Sequence, residues 1–142
     1  MLSTVAVGTD GSPTASDAVR MAVDVARRYE AKLVLLSAFK DSGSAAGTGA
    51  DSSSEIDWAS SGSARVREIL ARTEDELRRQ GIDCTTRADE GDPAEVLVRL
   101  AEESGADLLV IGNKGMQRRV LGSVPNTVTH KAPCSVLVVK TT

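Results

Sequence analysis

The chain has 142 residues, 41% hydrophobic and 26% charged, which fits one domain able to bury a core without disulfides or metals. A formal net charge of −3, a pI near 5.2 and only 2% aromatic residues exclude a general nucleic-acid binder, which needs a basic field or stacking platforms. No stretch approaches the roughly 18 apolar residues of a membrane-spanning helix. The start "MLSTVAVGTDGS" also lacks the basic and apolar regions of a signal peptide. A cytoplasmic protein with no membrane partner is therefore expected.

In chain order, "TVAVGT" reads as a short buried strand, β1, over about residues 3–8. "DGSP" follows, with Ser12 placed to cap a helix and Pro13 suited to its first turn. Ala15, Ala18, Val19, Ala22, Val25, Ala26 and Tyr29 recur at helical spacing and predict α1 to about Glu30. "KLVLLSAF", residues 32–39, is an apolar run of strand length, β2. Residues 41–54 are almost wholly Ser, Gly, Ala and Asp and cannot bury enough surface to offset ordering entropy. A flexible loop over about 41–62 is expected, either a tolerated insertion or a mobile lid.

Val66, Ile69, Leu70, Thr73 and Leu77 form the stripe of α2, which ends at Gly81. "IDCTTRA", residues 82–88, alternates and predicts β3. Asp92, Pro93 and Glu95 have the spacing of a capping box for α3, which turns Ala94, Leu97, Val98 and Ala101 inward and stops at Gly105. "DLLVIG", residues 107–112, predicts β4. Ser123 is expected to cap a shorter α4, "VPNTVTHK", and "CSVLVV", residues 134–139, predicts β5.

Strands apolar on both faces, alternating with amphipathic helices, predict an α/β fold: a single-domain open parallel five-stranded sheet with helices on both faces. Such sheets bind ligands at the carboxyl ends of their strands, where the strand order reverses. Only two strand-to-helix turns are rich in glycine, "GTDGS" after β1 and "GNKGMQRRVLGS" after β4. With β1 and β4 adjacent at the reversal, the order is 3-2-1-4-5 and both turns flank one crevice.

Glycines in the second turn allow backbone N–H groups to face an anion, and Ser123 opens a helix whose amino end favours phosphate. Lys114, Arg118 and Arg119 add positive charge. A phosphorylated ligand is the natural occupant; a ligand-free turn with a solvated arginine pair is the bland alternative. No GxxxxGK[ST] loop, no GxGxxG after β1 and no GxSxG elbow is present. The lone histidine, His130, falls inside α4 and reads as a surface residue. Cys84 and Cys134 lack metal-ligand spacing and read as two buried, reduced thiols, so no metal site is expected.

"VAVGTDGSPTASDAV", "EGDPAEVLVRLAEESGADLLVIGNKG" and "LGSVPNTVTHKAPCSVLVVK" resemble the universal stress protein family, over nearly the whole chain except residues 41–63. The resemblance implies the adenine nucleotide alpha hydrolase-like fold and, in ATP-binding members, a G-x2-G-x9-G-[ST] loop. Here Gly112 and Gly115 match its first half and Gly122-Ser123 its second, with six residues between Gly115 and Gly122 instead of nine. Three fewer residues shorten the arc by about 10 Å of extended chain.

By resemblance, Gly8, Thr9 and Asp10 line the adenosine side, with Asp10 near the ribose or a phosphate-bound cation. Its bland role is a turn carboxylate. Ala38 offers its backbone to the adenine edge, and Ile111 and Gly112 border the sugar. Lys114, Gly115, Gly122, Ser123 and Val124 hold phosphate. Family members commonly dimerise through the last strand, and "SVLVVK" invites such pairing unless Lys140 and the tail blunt it.

Three readings follow. One is an adenine-nucleotide sensor or regulator of the stress response, with ATP, accompanied by Mg2+, as the first expected ligand; AMP or cyclic AMP is the alternative, cyclic AMP because a single phosphate needs less loop. Another is a slow ATP hydrolase, for which Asp10 is the only metal-ligand candidate near the loop and no general base is evident. The last is a nucleotide-free homodimer acting through protein contacts.

Overall fold

A computed structural model describes residues 2–40, 62–113 and 123–140. The element order is β1 (Thr4–Gly8), α1 (Pro13–Tyr29), β2 (Lys32–Phe39), α2 (Ser63–Arg79), β3 (Thr85–Glu90), α3 (Pro93–Glu103), β4 (Leu108–Gly112), α4 (Ser123–Lys131) and β5 (Ser135–Val139). All strand pairs are parallel, and the sheet order is β3-β2-β1-β4-β5, the order expected from the two glycine-rich turns.

The pleat sorts the strand residues into two cores. Val5, Val7, Leu33, Leu35 and Val110 face α1 and α2, whereas Ala6, Val34, Leu36, Ala38, Leu109 and Ile111 face α3 and α4. Successive residues therefore serve opposite layers, which is why β1, β2 and β4 read as unbroken apolar runs. Edge strand β3 is polar and ties to α3, through Arg87 to Glu103 at 2.8 Å and Asp89 to Arg99 at 2.5 Å. At the opposite edge, Val136, Leu137 and Val138 of β5 are only half-buried.

Helix starts follow the capping signals. Ser12 Oγ accepts from the Ala15 N–H, and the Asp92 carboxylate accepts from the Glu95 N–H. Gly81, just past α2, has φ +81°, the left-handed conformation expected after a helix. The Asp107 carboxylate accepts from the Ser3 and Thr4 N–H groups at 2.8 and 3.0 Å, pinning β4 to the start of β1. These two backbone donors hold its carboxyl below the usual carboxylate range.

Several expectations need correction. Strand β3 runs over Thr85–Glu90 and not 82–88, because Ile82 and Cys84 are buried ahead of the strand while register with β2 carries pairing on to Glu90. Tyr29 does not join the inward stripe of α1; it is 50% exposed at the last helical position, and Val25 is half-buried. Thr73 and Val98 are likewise half-buried on the margins of their stripes. Only Cys84 is a buried thiol; Cys134, just ahead of edge strand β5, is half-buried, and both are free. Strands β1, β4 and β5 each begin one residue later than expected. The loop expected over about 41–62 lies outside the described residues, save Gly62.

Candidate functional site

The sheet order brings the ends of β1 and β4 side by side, with Val5, Ala6 and Val7 paired to Leu108, Leu109 and Val110. The two glycine-rich turns therefore leave the sheet from neighbouring strands, at the point where the order reverses. Among the described residues the buried polar side chains are Thr9, Asp10, Ser12, Ser37 and Asn113. All of them lie at this carboxyl end, beyond β1, near the end of β2, or beyond β4. Buried polar groups are costly without partners, so their collection at one end of the sheet makes that end the candidate site.

The first turn is closely held. The Thr9 N–H donates to the Leu36 carbonyl at 2.9 Å, extending the β1–β2 ladder one residue past the strand. The Gly11 N–H donates to Thr9 Oγ1 at 3.2 Å, and the Ser12 N–H donates to Asp10 Oδ1 at 2.9 Å. Asp10 thus fills the turn-carboxylate role anticipated as its bland reading. Gly11 has φ +82°, and a Cβ there would lie 2.9 Å from Ile69 side-chain carbons of α2. Gly8 has a packing reason of its own, since a Cβ would sit 3.1 Å from Leu97 Cδ1 of α3.

From the neighbouring strands, Ala38 and Ile111 are 1% and 3% exposed, with side chains in the α3 core, so any contribution to a ligand comes from their main chain. Gly112 is half-buried and in register with Val139, and the Asn113 N–H donates to the Val139 carbonyl at 3.0 Å. Ser123 is the first residue of α4 and exposed, where a cap had been expected; Val124 is half-buried against the α3 core. Lys114, Gly115, Gly122, Arg118 and Arg119 lie outside the described residues.

Ser37, Ser12 and Asn113 were not among the residues singled out for the site. The signal for Ser37 was present, a single hydroxyl inside the apolar run "LVLLSAF". His130 is exposed in the last turn of α4. Among the described residues, no three His, Cys, Asp or Glu side chains gather to hold a metal ion. A separate groove of about 660 Å³ runs between α1 and α2, reaching Thr9 and Gly11 at one end but none of the β4 residues.

The family model for the universal stress protein family matches residues 1–140. Universal stress protein Rv1636 of Mycobacterium tuberculosis is 38% identical over 143 aligned residues, covering 98% of this chain and 97% of that protein. A crystal structure of a universal stress protein in complex with cAMP is 34% identical, has a TM-score of 0.76, and covers 99% of this chain and 98% of its own. A universal stress protein from Archaeoglobus fulgidus shares the fold at 21% identity and a TM-score of 0.74, covering 96% of this chain and 92% of its own. The matched architecture is the adenine nucleotide alpha hydrolase-like fold, and this chain belongs to the universal stress protein family.

Proposed function

We propose that this protein binds an adenine nucleotide in the crevice between the β1 and β4 turns and acts as a regulator or sensor in a stress response. The observation that carries this reading is that, among the described residues, the buried polar side chains all lie at the carboxyl end of the sheet. In it, Gly8, Thr9 and Asp10 line the adenosine side and the Ala38 main chain meets the base. Ile111 and Gly112 border the sugar. Lys114, Gly115, Gly122, Ser123 and Val124 hold phosphate through backbone N–H groups and the amino end of α4.

Cyclic AMP is the favoured ligand over ATP. A relative at 34% identity was crystallised with cAMP, and the six-residue span from Gly115 to Gly122 suits one phosphate better than three. ATP is the second reading, supported by the retained glycines at both ends of that span. With ATP, Mg2+ would be bound chiefly by the phosphates, because Asp10 is the one acidic side chain at the turn and already accepts from the Ser12 N–H.

Calorimetric titration with ATP, ADP, AMP and cyclic AMP tests the proposal, alongside nucleotide analysis of gently purified protein. Cyclic AMP is expected to bind most tightly, and Gly122→Ala to weaken it about tenfold or more by crowding a phosphate-facing amide. Binding of none of the four would sink the nucleotide reading and favour the nucleotide-free interaction protein.

The second element of the proposal is a cytoplasmic homodimer formed by antiparallel β5–β5 pairing. The half-buried Val136, Leu137 and Val138 on an open edge support it, and β3, with its ion pairs to α3, is the less inviting edge. Sedimentation is expected to report a dimer that Val138→Lys converts to monomer. A wild-type monomer at tens of micromolar would exclude it.

A further inference from the structure

Ser37 is the only polar side chain of β2 beyond its first residue, and it is 1% exposed. An alanine or valine there would satisfy the core at no polar cost, whereas a buried hydroxyl requires a partner. That partner is the Thr9 carbonyl, which accepts from Ser37 Oγ at 2.8 Å across a sequence separation of 28. The donor is unambiguous, since a carbonyl oxygen only accepts.

The bond sits at a particular place in the ladder. Gly8 is in register with Leu36, and the Thr9 N–H donates to the Leu36 carbonyl. Continued parallel pairing would next run from the Ala38 N–H to the Thr9 carbonyl. The Ser37 hydroxyl takes that carbonyl, and β1 leaves the sheet there. Thr9 is then held at every polar group: its N–H by Leu36, its carbonyl by Ser37, and its Oγ1 by the Gly11 N–H. From Thr9 the constraint passes on. Asp10 Oδ1 accepts from the Ser12 N–H at 2.9 Å, and Ser12 Oγ accepts from the Ala15 N–H at 3.2 Å as the cap of α1.

We propose that Ser37 is a positioning residue of the ligand site: by holding the Thr9 carbonyl it fixes the Thr9–Asp10 peptide plane, and with it the direction of the Asp10 carboxylate and of the turn amides. The site role rests on the nucleotide reading above; the positioning itself does not. Ser37 touches no ligand and acts through Thr9.

The test uses the full chain as wild type, Ser37→Ala and Ser37→Thr, with two readouts. One is residue-resolved amide hydrogen exchange without ligand; the other is calorimetric titration with cyclic AMP. Ser37→Ala is expected to speed exchange at Gly11 and Ser12 about tenfold and to weaken cyclic AMP about tenfold, leaving Leu97 and Leu109 amides unchanged. Ser37→Thr, which keeps the hydroxyl, is expected to restore both. Wild-type exchange at Gly11 and Ser12 in Ser37→Ala would overturn the positioning, as would uniform acceleration at all amides, the signature of global destabilisation. A wild type that binds no nucleotide would overturn the site role alone, with exchange still deciding whether Ser37 holds the turn. Should Ser37→Ala not fold, Ser37→Cys, with its weaker donor, carries the same comparison.

Discussion

Gly11→Ala is expected to lower unfolding free energy by about 2–4 kcal/mol, combining the strain of a left-handed backbone with overpacking. Gly11 has φ +82°, and the new Cβ would lie 2.9 Å from both Cδ1 and Cγ2 of Ile69. Ile69 is 8% exposed in α2 and lines the α1–α2 groove, so part of the cost depends on how far its side chain can shift into that groove. The two contributions separate in a double-mutant cycle measured by urea unfolding. Ile69→Ala removes the clashing carbons but not the backbone strain. The double variant is expected to be about 1 kcal/mol more stable than the sum of the single changes predicts. Strict additivity would show that α2 shifts freely and that φ alone makes Gly11 necessary. Because Gly11 donates to Thr9 Oγ1, the substitution also disturbs the turn proposed to face the nucleotide.

Leu97→Ala is expected to cost about 3–4 kcal/mol, within the range for truncating a buried leucine that neighbours cannot replace. Leu97 is 0% exposed and joins α3 to the core shared with Ala6, Leu36, Leu109 and Ile111. Its methyls also approach Gly8: a Cβ there would lie 3.1 and 3.3 Å from Leu97 Cδ1 and Cδ2. The side chain thus underlies the end of β1 from which the turn proposed to face the ligand departs. Gly8→Ala alone is expected to destabilise by about 1–2 kcal/mol through overpacking, but to be neutral or better alongside Leu97→Ala, where its methyl enters the vacated space. Urea midpoints of the four proteins decide this. If Gly8→Ala costs the same in both backgrounds, Leu97 is not what limits Gly8.

Much of the architecture was legible because its signals are local. Ser12-Pro13 and Asp92-Pro93 mark helix starts by chemistry acting within one turn, and both side chains cap as expected. Gly81 marks the end of α2 for the same reason. The apolar runs of β1, β2 and β4 announced strands buried on both faces. Less legible were elements at the margins. Whether Tyr29 turns inward depends on where α1 meets the sheet: in its last turn Ala26 is buried in the core, whereas Tyr29 at the final position is 50% exposed. The bounds of β3 depend on register with β2, which "IDCTTRA" does not encode.

The site divides along the same line. Which turns are rich in glycine, and that an aspartate follows the first, belong to the sequence alone. Ser37 is only half legible there: a lone hydroxyl in an apolar strand signals a buried polar group but not the partner it bonds to. That partner, the Thr9 carbonyl, is 28 residues away and becomes adjacent only when β1 and β2 pair in register. By itself, then, the sequence determined the number and kind of the elements, the side-chain caps of α1 and α3, the family and the place of the two glycine-rich turns. These depend on interactions spanning a few residues, or on patterns that burial imposes directly. Tertiary structure alone decided which polar side chains are buried at the carboxyl end of the sheet, that the Ser37 hydroxyl meets the Thr9 carbonyl, and what Gly8 and Gly11 must leave room for. Those outcomes depend on close packing between distant segments, where an ångström separates a contact from a clash.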